Sequence, residues 1–325
     1  MLQYVLRRIG HAVLVLWAAF TATFFLLYAL PGDASLTRAG IGSDSSQVSP
    51  QQLAQIRSEL GLDRPVLVQY FETLGNTLRG HLGRSLQSGT PVKKLFAESV
   101  PSTLELAGAA LLLAIVLGFA WAVLTVYVRW EPARTALGTV PALGVSIPIF
   151  WTGLIALDWL SFRWRLFPAF GNSGFSSLVL PAVVLAIPSA SVAAQLLTRS
   201  LETTLASPFI ATVQAKGASR LRILLGHALR NSVLPVLTAL GMTAGHLIGG
   251  SVVAEAVFTR SGVGDITVRA VDFQDSPVVL FTVVFAATVF VVVNLIVDLL
   301  YVVIDPRIQL TAAPRAGARL QRAAA

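Results

Sequence analysis

Along the chain, long apolar runs alternate with short polar and charged ones. A helix that crosses a bilayer needs about 20 apolar residues, because each residue adds roughly 1.5 Å across a hydrocarbon core of about 30 Å. Six segments meet that length: Ile9 to Leu30, Ser102 to Val126, Ala136 to Leu160, Leu178 to Leu197, Ser232 to Ala254 and Val278 to Val303. The pattern predicts an all-α integral membrane protein with six transmembrane helices. Arg7 and Arg8 precede the first run, as they would in a secretory signal. That run is longer than the roughly 7 to 15 residues of a signal core, and "LPGDASLT" offers no small-x-small cleavage pattern, so it reads as a retained span.

The largest stretch outside these spans is residues 31–101. Ser49 and Pro50 look like an N-cap and a first helical residue, and Leu53, Ile56 and Leu60 share one face before Gly61. "LDRPVLVQYFETLGNTL" then starts a second amphipathic helix. Together they predict a small helical region over one mouth of the bundle. Residues 1–30 are expected to hold the N-terminus and the first helix, 102–303 a five-helix core, and 304–325 a basic tail.

Composition agrees with a membrane protein. Hydrophobic residues make up 55% and charged residues 12%, against about 25% charge in soluble domains. The absence of cysteine excludes disulfides and thiolate metal sites. The formal charge of +8 follows topology rather than a nucleic-acid partner. With a cytoplasmic N-terminus, Arg7, Arg8, Arg129, Arg134, Arg199, Lys216, Arg220, Arg222, Arg230, Arg307, Arg315, Arg319 and Arg322 all lie inside. The short outer loops hold only Arg163, Arg165, Arg260 and Arg269. The long 31–101 segment is exempt from this rule, and both termini are expected in the cytoplasm.

Several positions within the spans carry information. Pro141 and Pro148 fall in the third, and Pro181 and Pro188 in the fourth. Each frees a helical carbonyl that must find a partner on a neighbouring helix or in a wet cavity. Pro188, Ser189, Ser191 and Gln195 are therefore candidates for lining a path, with ordinary helix packing as the alternative. Glu255 and Asp298 join them as candidate path or gate residues, since intramembrane charge is costly; Glu105, Asp158 and Asn294 are also polar groups in or near spans. Gly241, Gly245 and Gly249 repeat every fourth residue and predict a bare face for close helix packing. His246 has no spaced partner and is given no metal role.

The sequence has no catalytic signature. No GxxxxGK[ST] loop occurs, "GHLGRS" is too short and lacks the lysine, and "SGVGDI" lacks the third glycine of a dinucleotide turn. HExxH, serine-elbow and paired-cysteine motifs are missing too. The chain is expected to bind no cofactor or metal and to catalyse nothing, so uphill transport would need a gradient or a partner.

One charged stretch interrupts the apolar pattern, "ATVQAKGASRLRILLGHALRN" at 211–231. Leu221, Leu224, Leu225 and Ala228 form one apolar stripe, Lys216, Arg220, Arg222 and Arg230 supply charge, and Gly217 separates this pattern from "SPFIATVQA". Two short helices with a glycine elbow could present a knob to a cytosolic protein, or could lie on anionic lipid. The pattern leaves both open.

"FIATVQAKGASRLRILLGHALRNSVLPVL" resembles the cytoplasmic coupling segment of ATP-binding-cassette importer permeases of the dipeptide, oligopeptide and nickel class. "YVLRRI" with "LPGD", then "LGLDRPVLVQY", "HLGRSLQSGTPV" and "ESVPSTLELA", are similar to the first span and outer region of the B-type subunit. "SIPIFWTGL", "GGSVVAEAVF", "SGVGDI" and "NLIVDLLYVVIDPRI" match later blocks in order. The general signature opens with Glu-Ala-Ala, and here Ala211 replaces the glutamate, as is usual in the peptide class. Gly226 and Ser261 stand where the class commonly has arginine and proline, and Pro235 lies farther from Gly217 than in the general signature.

The resemblance implies a type I importer fold with a coupling segment at about 201–231, in which Ala211, Ala215, Lys216, Gly217, Arg220 and His227 meet an ATPase. It implies a heterodimer with a homologous C-type permease, two cytosolic ATPase domains that hold ATP and Mg, an external peptide-binding protein, a peptide substrate and a bacterial inner membrane. A gradient-driven carrier would instead predict inverted repeats around a midplane site, and the two halves of the chain show no convincing repeat. A non-transporting scaffold is the third reading.

Overall fold

The computed structural model describes residues 2–29 and 63–304, together with the isolated positions 51, 55 and 58. The helix expected near Ser49 to Leu60 and the tail 305–325 lie outside the described residues, as does the side chain of Asp298. Ten helices organise the rest: α1 (Leu2–Ala29), α2 (Val66–Leu78), α3 (Val92–Tyr127), α4 (Glu131–Ser146), α5 (Ile149–Ala156), α6 (Gly174–Leu205), α7 (Pro208–Ala215), α8 (Leu229–Val257), α9 (Val263–Asp272) and α10 (Ser276–Ile304). The only strand-like pairing among the described residues is one bridge between Arg84 and Pro91.

The core is the α3–α6 pair with α8 against it. Small residues permit close approach: Ala107, Ala110, Ala114, Gly118 and Ala122 are buried along α3. A Cβ on Gly118 would stand 2.8 Å from the Ala190 carbonyl oxygen. Leu106, Leu178, Leu185 and Leu247 close one half of this core, and Leu197, Leu201, Leu224 and Val236 the other. The expected glycine stripe divides. Gly245 meets the Phe290 ring of α10, where an added Cβ would come within 2.4 Å, whereas Gly249 faces open space. The neighbouring Gly250, which the four-residue repeat does not include, packs against Leu185 and Ile149.

α1, α3, α6 and α10 are each long and apolar enough to cross a membrane, and α8 runs for 29 residues. The third crossing differs from the single rod expected over Ala136 to Leu160. It breaks at Ile147 and Pro148 into two arms, Glu131–Ser146 and Ile149–Arg163, inclined at 101°. Proline drives its predecessor out of the helical region and has no N–H to continue the ladder. Ile147 accordingly adopts ψ 126° and Pro148 ψ 139°. Beyond α5 the chain widens into a π-helical stretch, Leu157–Arg163.

The fourth crossing, by contrast, is continuous through Pro181 and Pro188. Pro181 frees the carbonyl of Ser177, four residues back, and Arg260 Nη1 donates to it at 3.1 Å. Pro141 in α4 likewise frees the carbonyl of Leu137, which accepts from Trp121 Nε1 of α3 at 2.8 Å. Both freed carbonyls are thus satisfied by side chains from other elements, as a low-dielectric interior demands.

Candidate functional site

The two ends of the bundle carry different polar chemistry. At one end, α6 stops at Leu205, and Ser207 with Pro208 in the first helical turn starts α7. α7 ends in a Schellman motif. Gly217 takes φ +78°, its N–H donates to the Gln214 carbonyl at 2.9 Å, and the Ala218 N–H reaches the Val213 carbonyl at 3.4 Å. Only a residue free of a Cβ adopts that conformation without strain. An added Cβ on Gly217 would meet nothing within 4 Å, so the constraint inside the chain is backbone conformation, not space.

Ser219 caps the next turn, its Oγ accepting from Arg222 N at 3.4 Å. Arg220–Arg222 then leads through a π-helical stretch, Ile223–Ala228, into α8. Ile223, Leu224 and Ala228 are buried against the core, while Leu221 and Leu225 are exposed. The apolar stripe read from the sequence therefore splits between two sides. Ala211, Ala215, Lys216, Gly217, Arg220 and His227 are all exposed, and Ile210 is the buried anchor of α7.

Arg220 is tied within the chain. Its Nη2 donates to the Val126 carbonyl at 3.0 Å, and its guanidinium lies 5.5 Å from the Tyr127 ring centroid. A cation there satisfies a terminal carbonyl of α3 and complements its dipole. At the same end Arg134 Nη2 pairs with Glu202 at 2.7 Å, and Ser232 Oγ lies 2.8 Å from Thr204 Oγ1.

The opposite end is held by buried carboxylates. Glu255 is fully buried, with Oε1 accepting from Thr103 Oγ1 at 2.6 Å and Oε2 from Gly264 N at 2.7 Å. Thr103 Oγ1 in turn accepts from Val263 N at 2.8 Å. Gly262 and Gly264 leave room for this carboxylate, since an added Cβ would stand 2.3 Å and 2.8 Å from Oε2 respectively. On the far side of α9, Asp275 accepts from Ser85 Oγ at 2.5 Å and from Leu86 N at 3.1 Å. Asn172 donates to Ser102 Oγ at 2.9 Å and accepts from Ser261 N at 3.2 Å. Burial pushes Arg260 below its ordinary value, opposed by the charges of Glu105 and Glu255.

These contacts sort the chain's turns into two sets. Residues 85, 102–103, 172–177, 255–264 and 275 meet at one end, and 126, 134, 202–204, 220 and 232 at the other. The alternation is consistent with six passes. The other candidate path residues lie between the ends. Ser189 and Ser191 are buried, Ser191 against Gly144, where a Cβ would come within 2.1 Å of its Oγ. Pro188 is half-buried. Gln195, with Ser146 and Arg199, lines a cleft of about 330 Å³ between α4 and α6.

Sequence reasoning missed Asp275, Thr103, Asn172 and Arg260. The signal for one of them is local: Asp275 stands before a Ser-Pro helix start. Among the described residues no cluster could hold a metal.

The sequence profile described as "Binding-protein-dependent transport system inner membrane component" matches residues 110–310, and the profile for the N-terminal part of such membrane components matches 1–107. A peptide transport system permease protein of Brucella abortus is 35% identical over 95% of this chain and 99% of its own length. The dipeptide transport system permease protein of Escherichia coli K12 is 33% identical with the same coverage. The inward-facing MetNI methionine ABC transporter shares the fold, with a TM-score of 0.53 at 18% identity, covering 66% of this chain and 98% of that one.

Proposed function

The chain belongs to the family of binding-protein-dependent transport system inner membrane components, and from that premise we propose that its two unlike ends divide the work of an ATP-driven peptide importer. It is a permease subunit and not an enzyme, and transport is energised by ATPase partners. Importers of this family also use a substrate-binding protein and a second permease. The observation that carries the peptide assignment is the relationship over 95% of the chain to permeases named for peptide and dipeptide transport.

In the finer reading, the partner permease is a homologous C-type subunit, two cytosolic ATPase domains hold ATP and Mg, and an external binding protein delivers the peptide. The bacterial inner membrane is the setting, with both termini and the Gly217 elbow in the cytoplasm. Exposure of Ala211, Ala215 and Lys216 supports α7 as the surface that docks in the ATPase, with His227 beside it. Arg220 then has a transmitting role: it fixes the elbow to the end of α3, while Leu224 and Ala228 fix it to α6. A pull on the elbow would move the α3–α6 pair as one body, a rigid-body switch between two packings. Gln195 in the α4–α6 cleft is assigned to the path, and Ser191 and Gly245 to packing.

The test is Gly217→Trp. Tryptophan cannot take φ +78° without strain and adds bulk to the docking face. The variant is expected to insert normally, and either to lose the ATPase on co-purification or to hydrolyse ATP without uptake. An elbow lying on lipid would tolerate or even favour an interfacial tryptophan. Normal association with normal uptake overturns the reading.

A further inference from the structure

α2 divides its surface three ways, and the third part has no protein cover among the described residues. Tyr70 is buried against α1, with its ring 5.8 Å from Phe20, 5.4 Å from Phe24 and 5.6 Å from Phe25, and its hydroxyl 2.8 Å from Thr21 Oγ1. Leu280 of α10 closes the same cluster, with Leu27, Leu74 and Val284 packed on it. A second face is polar: Glu72, Asn76 and Arg79 recur at helical spacing, and all are exposed. The third face carries Leu67, Phe71 and Leu78, four and then seven residues apart, which places them on one stripe. They are 63%, 66% and 80% exposed, and half-buried Leu74 lies on the same line.

The depth of the Tyr70 contact says what covers that stripe. The apolar part of α1 runs from Arg8 to Leu27. Thr21 precedes Leu27 by six residues, which at 1.5 Å per residue sets it about 9 Å inside that end. Leu280 sits four residues into α10, about 6 Å inside by the same measure. Tyr70 therefore docks at a level that belongs to the bilayer. Phe71 of the stripe and exposed Phe25 of α1 also flank the same Tyr70 ring, at 5.1 Å and 5.6 Å, so the stripe adjoins the outward surface of a spanning helix.

We propose that α2 is an interfacial membrane helix. It lies along the bilayer surface beside the first span, with Leu67, Phe71 and Leu78 in the acyl region and Glu72, Asn76 and Arg79 in headgroups and water. A helix with an apolar face and a charged face embeds in this way to a depth of about 5–10 Å, which matches the level set by Thr21. Part of the long segment between the first two spans is thereby assigned to lipid, where its sequence pattern suggests a small helical region over one mouth of the bundle. The inference rests on the chain spanning a membrane and not on its cargo.

The absence of native cysteine makes the test direct. Single variants Leu67→Cys, Phe71→Cys, Leu78→Cys, Asn76→Cys and Arg79→Cys are spin-labelled in the assembled transporter in lipid nanodiscs. Collision with oxygen, which concentrates in lipid, is compared with collision with a water-soluble nickel chelate. The three apolar-face labels should favour oxygen and the two polar-face labels nickel. All five positions are exposed, so assembly should survive each change. Nickel access at the apolar stripe would place it in water, and low access to both reagents there would place it under a protein partner; either result overturns the proposal.

Discussion

Trp121→Phe isolates one consequence of building a membrane helix around a proline. Pro141 has no N–H, so the Leu137 carbonyl depends on Trp121 Nε1 at 2.8 Å. Phenylalanine removes that donor and leaves the acceptor alone at a half-buried helix contact. An unsatisfied buried acceptor costs about 1–3 kcal/mol, while interhelical hydrogen bonds measured in a membrane protein average about 0.6 with a maximum near 1.7. A loss of about 1 kcal/mol is expected from the hydrogen bond, plus a packing loss from the smaller ring. Pro141→Ala separates the two, because an alanine N–H restores the intrahelical partner of Leu137 and makes the indole donor redundant. In that background Trp121→Phe should cost about 1 kcal/mol less. The four proteins form a double-mutant cycle, measured by unfolding in dodecyl maltoside titrated with SDS. An interaction energy of zero would mean that the indole acts by packing alone, and the argument from freed carbonyls would fail.

Glu255→Gln should destabilise the subunit by about 1–3 kcal/mol, because one amide oxygen cannot replace the two acceptors that serve Thr103 and Gly264; an unchanged unfolding midpoint would refute the clamp. For topology, cysteines replacing Ser88 and Ser173 should react with an impermeant maleimide from outside, and those replacing Thr135 and Ala313 should not. The reverse labelling would invert the assignment of the two ends.

The helices were legible because hydrophobic length depends on each segment alone. The elbow was legible for a similar reason: Gly217 follows an Ala-rich turn, and an αL residue is a local requirement. Features that depend on partners distant in sequence were not. Nothing near Arg260 indicates that it satisfies a carbonyl freed by Pro181, 79 positions away in the chain. The stripe at Leu221, Leu224, Leu225 and Ala228 assumed an α period, and the π-helical stretch Ile223–Ala228 changes which side chains turn inward. The break at Pro148 and the continuity through Pro188 show the same limit. Both prolines remove one hydrogen bond, but only the first has its predecessor in the extended region, and the decision between kink and continuation belongs to packing.

The contrast between the ends bears on how the subunit moves. At the Glu255 end, Glu255, Thr103, Asp275 and Ser85 are fully or almost fully buried, and breaking their contacts would strand a desolvated donor or acceptor at about 1–3 kcal/mol each. At the elbow end, the Arg134–Glu202 pair is 40% and 43% exposed, and such pairs are worth about 0–1 kcal/mol. The elbow itself is held to α3 and α6 by buried Leu224 and Ala228 as well as by Arg220, so the joint that yields is the one between α4 and α6. Water can replace Arg134 and Glu202 as they part, which it cannot do around Glu255. A force applied at Gly217 would therefore meet its softest joint first at the elbow end, while α8, α9 and α10 stay clamped to α3 at the other. Such a chain transmits motion as a lever with one stiff end, and the stiffness resides in the contacts of Glu255 and Asp275.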